Sequence, residues 1–300
     1  MIETLLAGCR LCARSCGASR LDGDTGFCRA GRNVKIARAA LHFWEEPCIS
    51  GRRGSGTVFF AHCNLRCVFC QNHPASQQGV GREISIDRLG EIFLELMAAG
   101  AHNINLVTPT HYAPHIVQAL NIARRNGLSL PVVYNTNSYE NVETIRFLKG
   151  SIDVYLPDLK YYNDKYALKY SGVDGYFAKA KAVIEKMVDQ VGPIKFNREG
   201  LLVKGVLVRH LALPGLLFDS KKVIDYLYRT FGDSIYISLM NQYTPLNQAC
   251  KYPEINKPLH PGHYRGLIEY CQTKGMQNVF IQKSGTASPD FVPPFDLEGV

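Results

Sequence analysis

No stretch of the chain approaches the roughly eighteen consecutive apolar residues of a membrane-spanning helix. The opening residues, Met1-Ile-Glu-Thr-Leu-Leu-Ala-Gly-Cys9, lack the basic region and long apolar core of a secretory leader, so the expected location is the cytoplasm, with no membrane partner. Long runs of like charge are missing too. The net charge of +8 comes from Lys and Arg spread along the chain, which attracts anionic ligands without singling out nucleic acid. Aromatic and basic residues do not interleave as base stacking requires, so nucleic acid is not an expected partner. No internal repeat or low-complexity segment marks a solenoid or a disordered tail.

What remains describes an ordinary globular chain: 300 residues, 46% hydrophobic and 20% charged, enough for one large α/β barrel or two smaller domains. Ten cysteines would suit a disulfide scaffold in a small secreted protein, but seven of them fall into two short clusters with metal-ligand spacing. Reduced thiols fit better. Cys48, Cys250 and Cys271 stand outside the clusters and read as small buried hydrophobes.

The sharper cluster is His62-Cys-Asn-Leu-Arg-Cys-Val-Phe-Cys70, a C-x3-C-x2-C run. Electron-transfer [4Fe-4S] clusters normally take four cysteines, so three leave one iron open to a substrate or cofactor. The alternatives are a structural zinc knuckle or three buried thiols. The run, including Phe69 before the last cysteine, resembles the signature of the radical S-adenosylmethionine (radical SAM) superfamily. That resemblance implies a [4Fe-4S] cluster on Cys63, Cys67 and Cys70, whose open iron chelates the methionyl end of SAM. It further implies reductive cleavage of SAM to a 5′-deoxyadenosyl radical for hydrogen abstraction, with an electron donor such as flavodoxin or ferredoxin.

From Gly56 onward apolar strand-like runs alternate with helical patterns, the βαβα signature. Strands are expected at Thr57-Val-Phe-Phe-Ala61, Asn103-Ile-Asn-Leu-Val107, Pro131-Val-Val-Tyr134, Asp153-Val-Tyr-Leu156, Leu202 to Leu211 and Ile235-Tyr-Ile-Ser-Leu239, with a short one at Asn278-Val-Phe-Ile281. Helices are expected from Ser85 to Gly100, from Pro114 to Gly127, and near 142–148, 176–191, 220–229 and 262–274. Six βα units are too few for a closed eight-stranded barrel. They fit the α/β fold the resemblance implies, an open six-stranded (β/α)6 partial barrel over residues 51–300, preceded by a small four-cysteine segment over residues 1–50. The tail Ser288-Pro-Asp-Phe-Val-Pro-Pro-Phe-Asp296 is broken by proline and reads as irregular.

Conspicuous polar residues gather where these strands end, as parallel barrels require of an active site: Thr108-Pro-Thr-His-Tyr112, Asn135-Thr-Asn-Ser138, Asp158-Leu-Lys160, Arg209-His210 before Leu213-Pro-Gly215, and Asn241-Gln-Tyr-Thr-Pro245. Singly, each serves equally well as a cap or turn. Asp158-Leu-Lys160 and Arg209 with Leu213-Pro-Gly215 resemble the activating enzymes of pyruvate formate-lyase and other glycyl-radical enzymes. Over almost the whole length, including Leu41-His-Phe-Trp-Glu-Glu-Pro-Cys-Ile-Ser-Gly51, the chain is similar to their PflX-type homologues. The resemblance implies Lys160 and Arg209 as anchors for the SAM carboxylate. It also implies Asp158 and Asn135 as polar contacts or part of a monovalent-cation site, Gln242 or Tyr243 beside the adenine, and a glycyl-radical enzyme as protein substrate. The Gly-Gly-Glu segment that contacts the SAM amino group in that family is absent; Thr108 and Thr110 stand in its place and can accept from an ammonium.

The second cluster, Cys9, Cys12, Cys16 and Cys28, has the spacing C-x2-C-x3-C-x11-C in a segment rich in glycine and arginine. Four thiolates there suit zinc or an auxiliary iron–sulfur cluster. The surrounding Arg10, Arg14, Arg20, Arg29 and Arg32 read as solvated surface. A different class of function, a metal-binding interaction or regulatory protein on the same scaffold, keeps the N-terminal segment and drops the chemistry; Lys160 and Arg209 beside an intact cysteine triad favour the enzyme. A radical SAM enzyme modifying RNA or a small molecule is the remaining alternative.

Overall fold

The computed structural model describes residues 2–282 and 292–300. Ten strands form one sheet: β1 (Val34–His42), β2 (Ser55–Phe60), β3 (Arg82–Ile84), β4 (Ile104–Val107), β5 (Val132–Thr136), β6 (Val154–Pro157), β7 (Lys195–Phe196), β8 (Leu202–Leu211), β9 (Tyr236–Met240) and β10 (Val279–Ile281). The helices are α1 (Ile2–Ala7), α2 (Pro47–Ser50), α3 (His73–Ser76), α4 (Ile86–Ala98), α5 (Ala113–Arg125), α6 (Val142–Phe147), α7 (Asp164–Ser171), α8 (Tyr176–Val191), α9 (Leu217–Phe231) and α10 (Pro261–Thr273). The strand order is β3-β1-β2-β4-β5-β6-β8-β9-β10, with β7 added on β8. From β2 to β10 along that path every pairing is parallel, whereas β1 runs antiparallel to both β2 and β3. Helices of the βα units close as their sequences indicate. In α4 the Ser85 hydroxyl accepts the Arg88 N–H at 3.1 Å, Leu89, Ile92, Phe93 and Leu96 are buried on one face, and Gly100 follows at φ +90°.

The alternating pattern is therefore real, but the sheet is wider than six strands. β1 lies inside the segment read as poor in core. Its Val34, Ile36 and Ala37 are fully buried, and Leu6, Leu11 and Ala30 before it are buried too. Short apolar residues at alternate positions suffice once a neighbouring strand supplies the other side of the packing. A boundary at residue 50 thus falls between two paired strands of one sheet. Helix α7 was not expected either, because its stripe is only Ala167, Tyr170 and Ser171, while Leu168 is 60% exposed. Of the proline-broken tail, residues 288–291 lie outside the described residues, and 292–296 form neither helix nor strand. The chain end then returns over β1: Ala39 N–H donates to Glu298 O at 2.8 Å and Leu297 N–H to Ala37 O at 3.1 Å, where the β1/β2 register slips.

Helix α2 plugs the amino end of the inner face. Cys48 and Ile49 pack against Val133, Val154, Leu156, Leu202 and Leu207, and Asn103 Nδ2 donates to Ile49 O at 2.8 Å. Just before it, Glu45 joins Asn105 on β4 to Arg209 on β8. Those strands are three steps apart, about 14 Å in a flat sheet. Curling of the sheet draws their inner-face side chains toward one carboxylate. Cys48 and Cys271 are buried as expected, whereas Cys250 is exposed. No helix among the described residues is long and apolar enough to cross a membrane.

Candidate active site

The cysteine loop leaves β2 at its carboxyl end and is held from behind by α7: Arg66 N–H donates to Ser171 O at 3.1 Å and Val68 N–H to Tyr170 O at 2.9 Å. Each sulfur has its own polar partner. Cys63 Sγ accepts from Leu65 N–H and from Asn137 Nδ2, both at 3.4 Å, Cys67 Sγ lies 3.0 Å from Ser171 Oγ, and Cys70 Sγ lies 3.3 Å from Ser76 Oγ. Burial pushes the Cys63 thiol up to about 12 and Cys70 to about 11, with the neighbouring Cys67 adding to both. Among the described residues no three His, Cys, Asp or Glu side chains meet the spacing of a ready metal site, since the thiols turn to these separate partners. Donors aimed at sulfur nevertheless suit a thiolate set, because N–H and O–H groups stabilise negative sulfur.

Backbone strain marks the same rim. His62 at φ +75°, Thr108 at +59° and Ser138 at +65° each stand one or two residues beyond a parallel strand. For β-branched Thr108 the left-handed region is a true outlier, of the kind that costs about 1–3 kcal/mol and collects at functional sites. Its N–H donates to Asn135 O at 3.0 Å, which ties the loop after β4 to the end of β5.

Lys160 lies in the same place. Its Nζ is 2.6 Å from Asp158 Oδ2; burial opposes its charge, but Asp158 and Cys67 raise its pKa above the ordinary lysine value. Thr110 is otherwise engaged, since its hydroxyl donates to Glu140 Oε1 at 3.1 Å. Glu140 is buried, also receives the Tyr134 and Thr136 hydroxyls, and is pushed up to about 7 by burial. Gln242 Oε1 accepts from Gln282 Nε2 at 2.6 Å, and Tyr243 is buried with its hydroxyl on Ile255 O at 2.7 Å. Tyr243 is thereby a packing residue.

Arg209, expected as a carboxylate anchor, already has two carboxylates of this chain as partners. Its Nε and Nη2 meet Glu46 Oε1 and Oε2 at 2.8 and 2.6 Å, and Nη2 also meets Glu45 Oε2. Side-chain exposures of 10% for Arg209, 8% for Glu45 and 7% for Glu46 make this a buried triad. Sequence reasoning missed both glutamates as site residues, together with Asn105 and Glu140. Glu45 and Glu46 precede a proline in a loop, where carboxylates are ordinary surface residues.

The four-cysteine segment docks beside the loop. Cys9, Cys12 and Cys28 are buried and Cys16 is exposed; its Sγ fills the space a Cβ at Gly26 would take, 2.3 Å from that position. Cys12 is pushed up to about 12, first by burial and then by the nearby Cys28 and Cys9. Arg14 Nε donates to Asn64 O at 3.1 Å and Arg66 Nη2 to Phe27 O at 2.6 Å, while both guanidinium groups lie over the Phe27 ring, at 3.5 and 4.5 Å. Arg20 is not surface either. It is 1% exposed, donates to Gly31 O and His111 O, and keeps Nη2 buried without a partner.

Residues 57–226 match the radical SAM superfamily. The whole chain is 31% identical over 289 residues to an uncharacterized protein of Methanocaldococcus jannaschii, MJ0674, the match covering 93% of this chain and 78% of that one. Among solved structures it is similar to Streptococcus suis SuiB bound to S-adenosylmethionine, with a TM-score of 0.51 and 18% identity over 76% of this chain and 50% of that one. HydG, a maturase of the [FeFe]-hydrogenase, matches with a TM-score of 0.50 and 15% identity over 76% of this chain and 50% of that one. The chain spans about half the length of both structures, and at these identities the likeness concerns the fold. Superfamily membership carries a [4Fe-4S] cluster and SAM as the implied cofactors, and with the sequence match spanning the cysteine loop and the strands that follow, the chain belongs to the radical SAM superfamily.

Proposed function

We propose that Cys63, Cys67 and Cys70 hold the [4Fe-4S] cluster and that the enzyme cleaves SAM reductively to methionine and 5′-deoxyadenosine, taking a hydrogen atom from its substrate. When bound, the cluster supplies the electron that breaks the sulfonium bond. The observation that carries the reading is Lys160, a half-buried ammonium just beyond the carboxyl end of β6 and 2.6 Å from Asp158, on the same rim as the cysteine loop that leaves β2. Lys160 anchors the SAM carboxylate by a charge-assisted hydrogen bond. Asn135, Asp158 and Thr108 supply polar contacts, and Gln242 borders the adenine. Arg209 keeps its bond to Glu46 and holds the wall of the site, since turning it to SAM strips a buried carboxylate of its partner.

Cys9, Cys12, Cys16 and Cys28 form a second metal site in this reading, holding zinc or an auxiliary iron–sulfur cluster. Either, on four thiolates, leaves net negative charge, which the partnerless side of buried Arg20 suits. The likeness of Asp158-Leu-Lys160 and Leu213-Pro-Gly215 to glycyl-radical activating enzymes supports a backbone glycine of a partner protein as the hydrogen source, with flavodoxin or ferredoxin as reductant. The test is chromatographic detection of 5′-deoxyadenosine after anaerobic reduction with dithionite, with Cys67→Ala as blank. Product above blank is expected. Blank-level product from protein holding both cluster and SAM, with candidate substrates present, moves the assignment to a binding protein.

A further inference from the structure

Charge on the inner face of the sheet and its rim does not balance. Glu45, Glu46 and Asp158 bring three carboxylates, and Arg209 and Lys160 bring two cations. Lys160 takes Asp158. Arg209 gives its fork to Glu46, through Nε at 2.8 Å and Nη2 at 2.6 Å. Glu45 shares an Nη2 that is already engaged and is completed by Asn105 Nδ2 at 3.0 Å. The nearby His42 on β1 is no counterion, because burial and Arg209 hold its ring below the ordinary histidine value despite Glu45. One buried carboxylate is left without a cation of its own.

Asn105 adds an independent sign. It is fully buried, and its donation to Glu45 fixes which way the amide faces, leaving Oδ1 without a partner. Native interiors rarely leave such an acceptor unsatisfied. An acceptor without a donor, Asn105 Oδ1, therefore stands beside a carboxylate that shares its one cation with Glu46.

We propose that Glu45 and Asn105 Oδ1 form a subsite for a cationic nitrogen, the alkylammonium or guanidinium group of the substrate. This names the substrate class of the same site and rests on the radical SAM reading. Either group carries several N–H donors, enough to satisfy both acceptors while neutralising the odd carboxylate. A neutral hydroxyl leaves the charge standing, and an anionic substrate adds to it in a poorly solvated place.

The test uses anaerobic holoenzyme loaded with SAM and isothermal titration with n-butylammonium and n-butanol. Ammonium binding at least tenfold tighter than butanol is expected, with the preference abolished by Glu45→Gln and weakened by Asn105→Leu. Equal binding of the two probes by the wild type overturns the proposal whether or not the variants fold, as does an unchanged preference in a folded Glu45→Gln protein. Agmatine and a capped Gly-Lys-Gly peptide then separate sources: tighter agmatine supports a small free cation, and a tighter peptide supports a basic side chain. SAM cleavage without any amine is measured alongside. Its absence counts against the radical SAM reading, whereas cleavage without cation preference sinks the subsite alone.

Discussion

Replacing Glu46 and Glu45 one at a time with Gln should give opposite results, although both touch the same guanidinium. Glu46 receives both edges of the Arg209 fork, at 2.8 and 2.6 Å, with side chains only 7% and 10% exposed. Glu46→Gln removes the charged bidentate acceptor and leaves Arg209 only its Nη2 contact with Glu45, a change that costs about 1.5–3 kcal/mol, the scale of hydrogen bonds to a charged group. Glu45 shares its one cation with Glu46, and a Gln there keeps its oxygen for Arg209 and turns its amide nitrogen to Asn105, whose own amide flips to accept it. Glu45→Gln should therefore stay within about 1 kcal/mol of the wild type, or stabilise it, since it removes a carboxylate that only shares a guanidinium. Urea unfolding of the three proteins, compared by midpoint with slopes checked for constancy, gives the difference. The pH dependence has a definite sign. Burial alone would raise the Glu46 carboxyl, but the charge and hydrogen bonds of Arg209 outweigh it and hold it below its ordinary 4.5. Its contribution is then complete above that unfolded value and is lost as pH falls through the folded one. The gap between wild type and Glu46→Gln should be full at neutral pH and shrink in acid. Equal cost for the two substitutions would refute the division of partners, and a gap that widens in acid would refute the sign.

Lys160→Ala should weaken SAM binding by about 1.5–3 kcal/mol, the scale of a hydrogen bond to a charged group, and calorimetry finding wild-type affinity would contradict its role as anchor. Protein in which Cys63, Cys67 and Cys70 are all Ala should lose the reduced-cluster EPR signal yet keep about one zinc, or an iron–sulfur cluster, per chain on the N-terminal set, as metal analysis would report. A metal-free but folded variant removes the second site. Thr108→Gly should raise thermal stability by about 1 kcal/mol equivalent through relief of the positive φ, while weakening SAM binding; a destabilised glycine variant would show that the threonine is not strained.

Much of the frame was legible because local pattern and topology agree. Ser85, Gly100 and Gly127 bound their helices because caps and stops act over a few residues, and apolar runs of four or five are strands wherever helices cover both faces. β1 was not legible, since an antiparallel strand of small apolar residues looks like a loop until β2 and β3 pair with it. Helix α7 escaped for a related reason. Its buried face is one tyrosine, Tyr170, apart from Ala167 and Ser171, and its importance lies in the carbonyls it offers to the cysteine loop.

Arg209 shows where reading stops. Its position at the end of a strand marks it as part of the site, but its partner Glu46 is 163 residues away and nothing local links them. By itself the sequence carried the superfamily, because its C-x3-C-x2-C signature is written in one short run, and it determined the alternation that builds a parallel sheet. Only the tertiary structure decided what each strand-end residue faces: that Thr110 serves Glu140, that Arg20 is buried, and that Glu45 shares the Arg209 cation with Glu46 beside an unpartnered Asn105 oxygen. The physical reason is that hydrogen-bond and charge balance belong to neighbours in space, which the curling of the sheet and the plug at α2 bring together from distant parts of the chain.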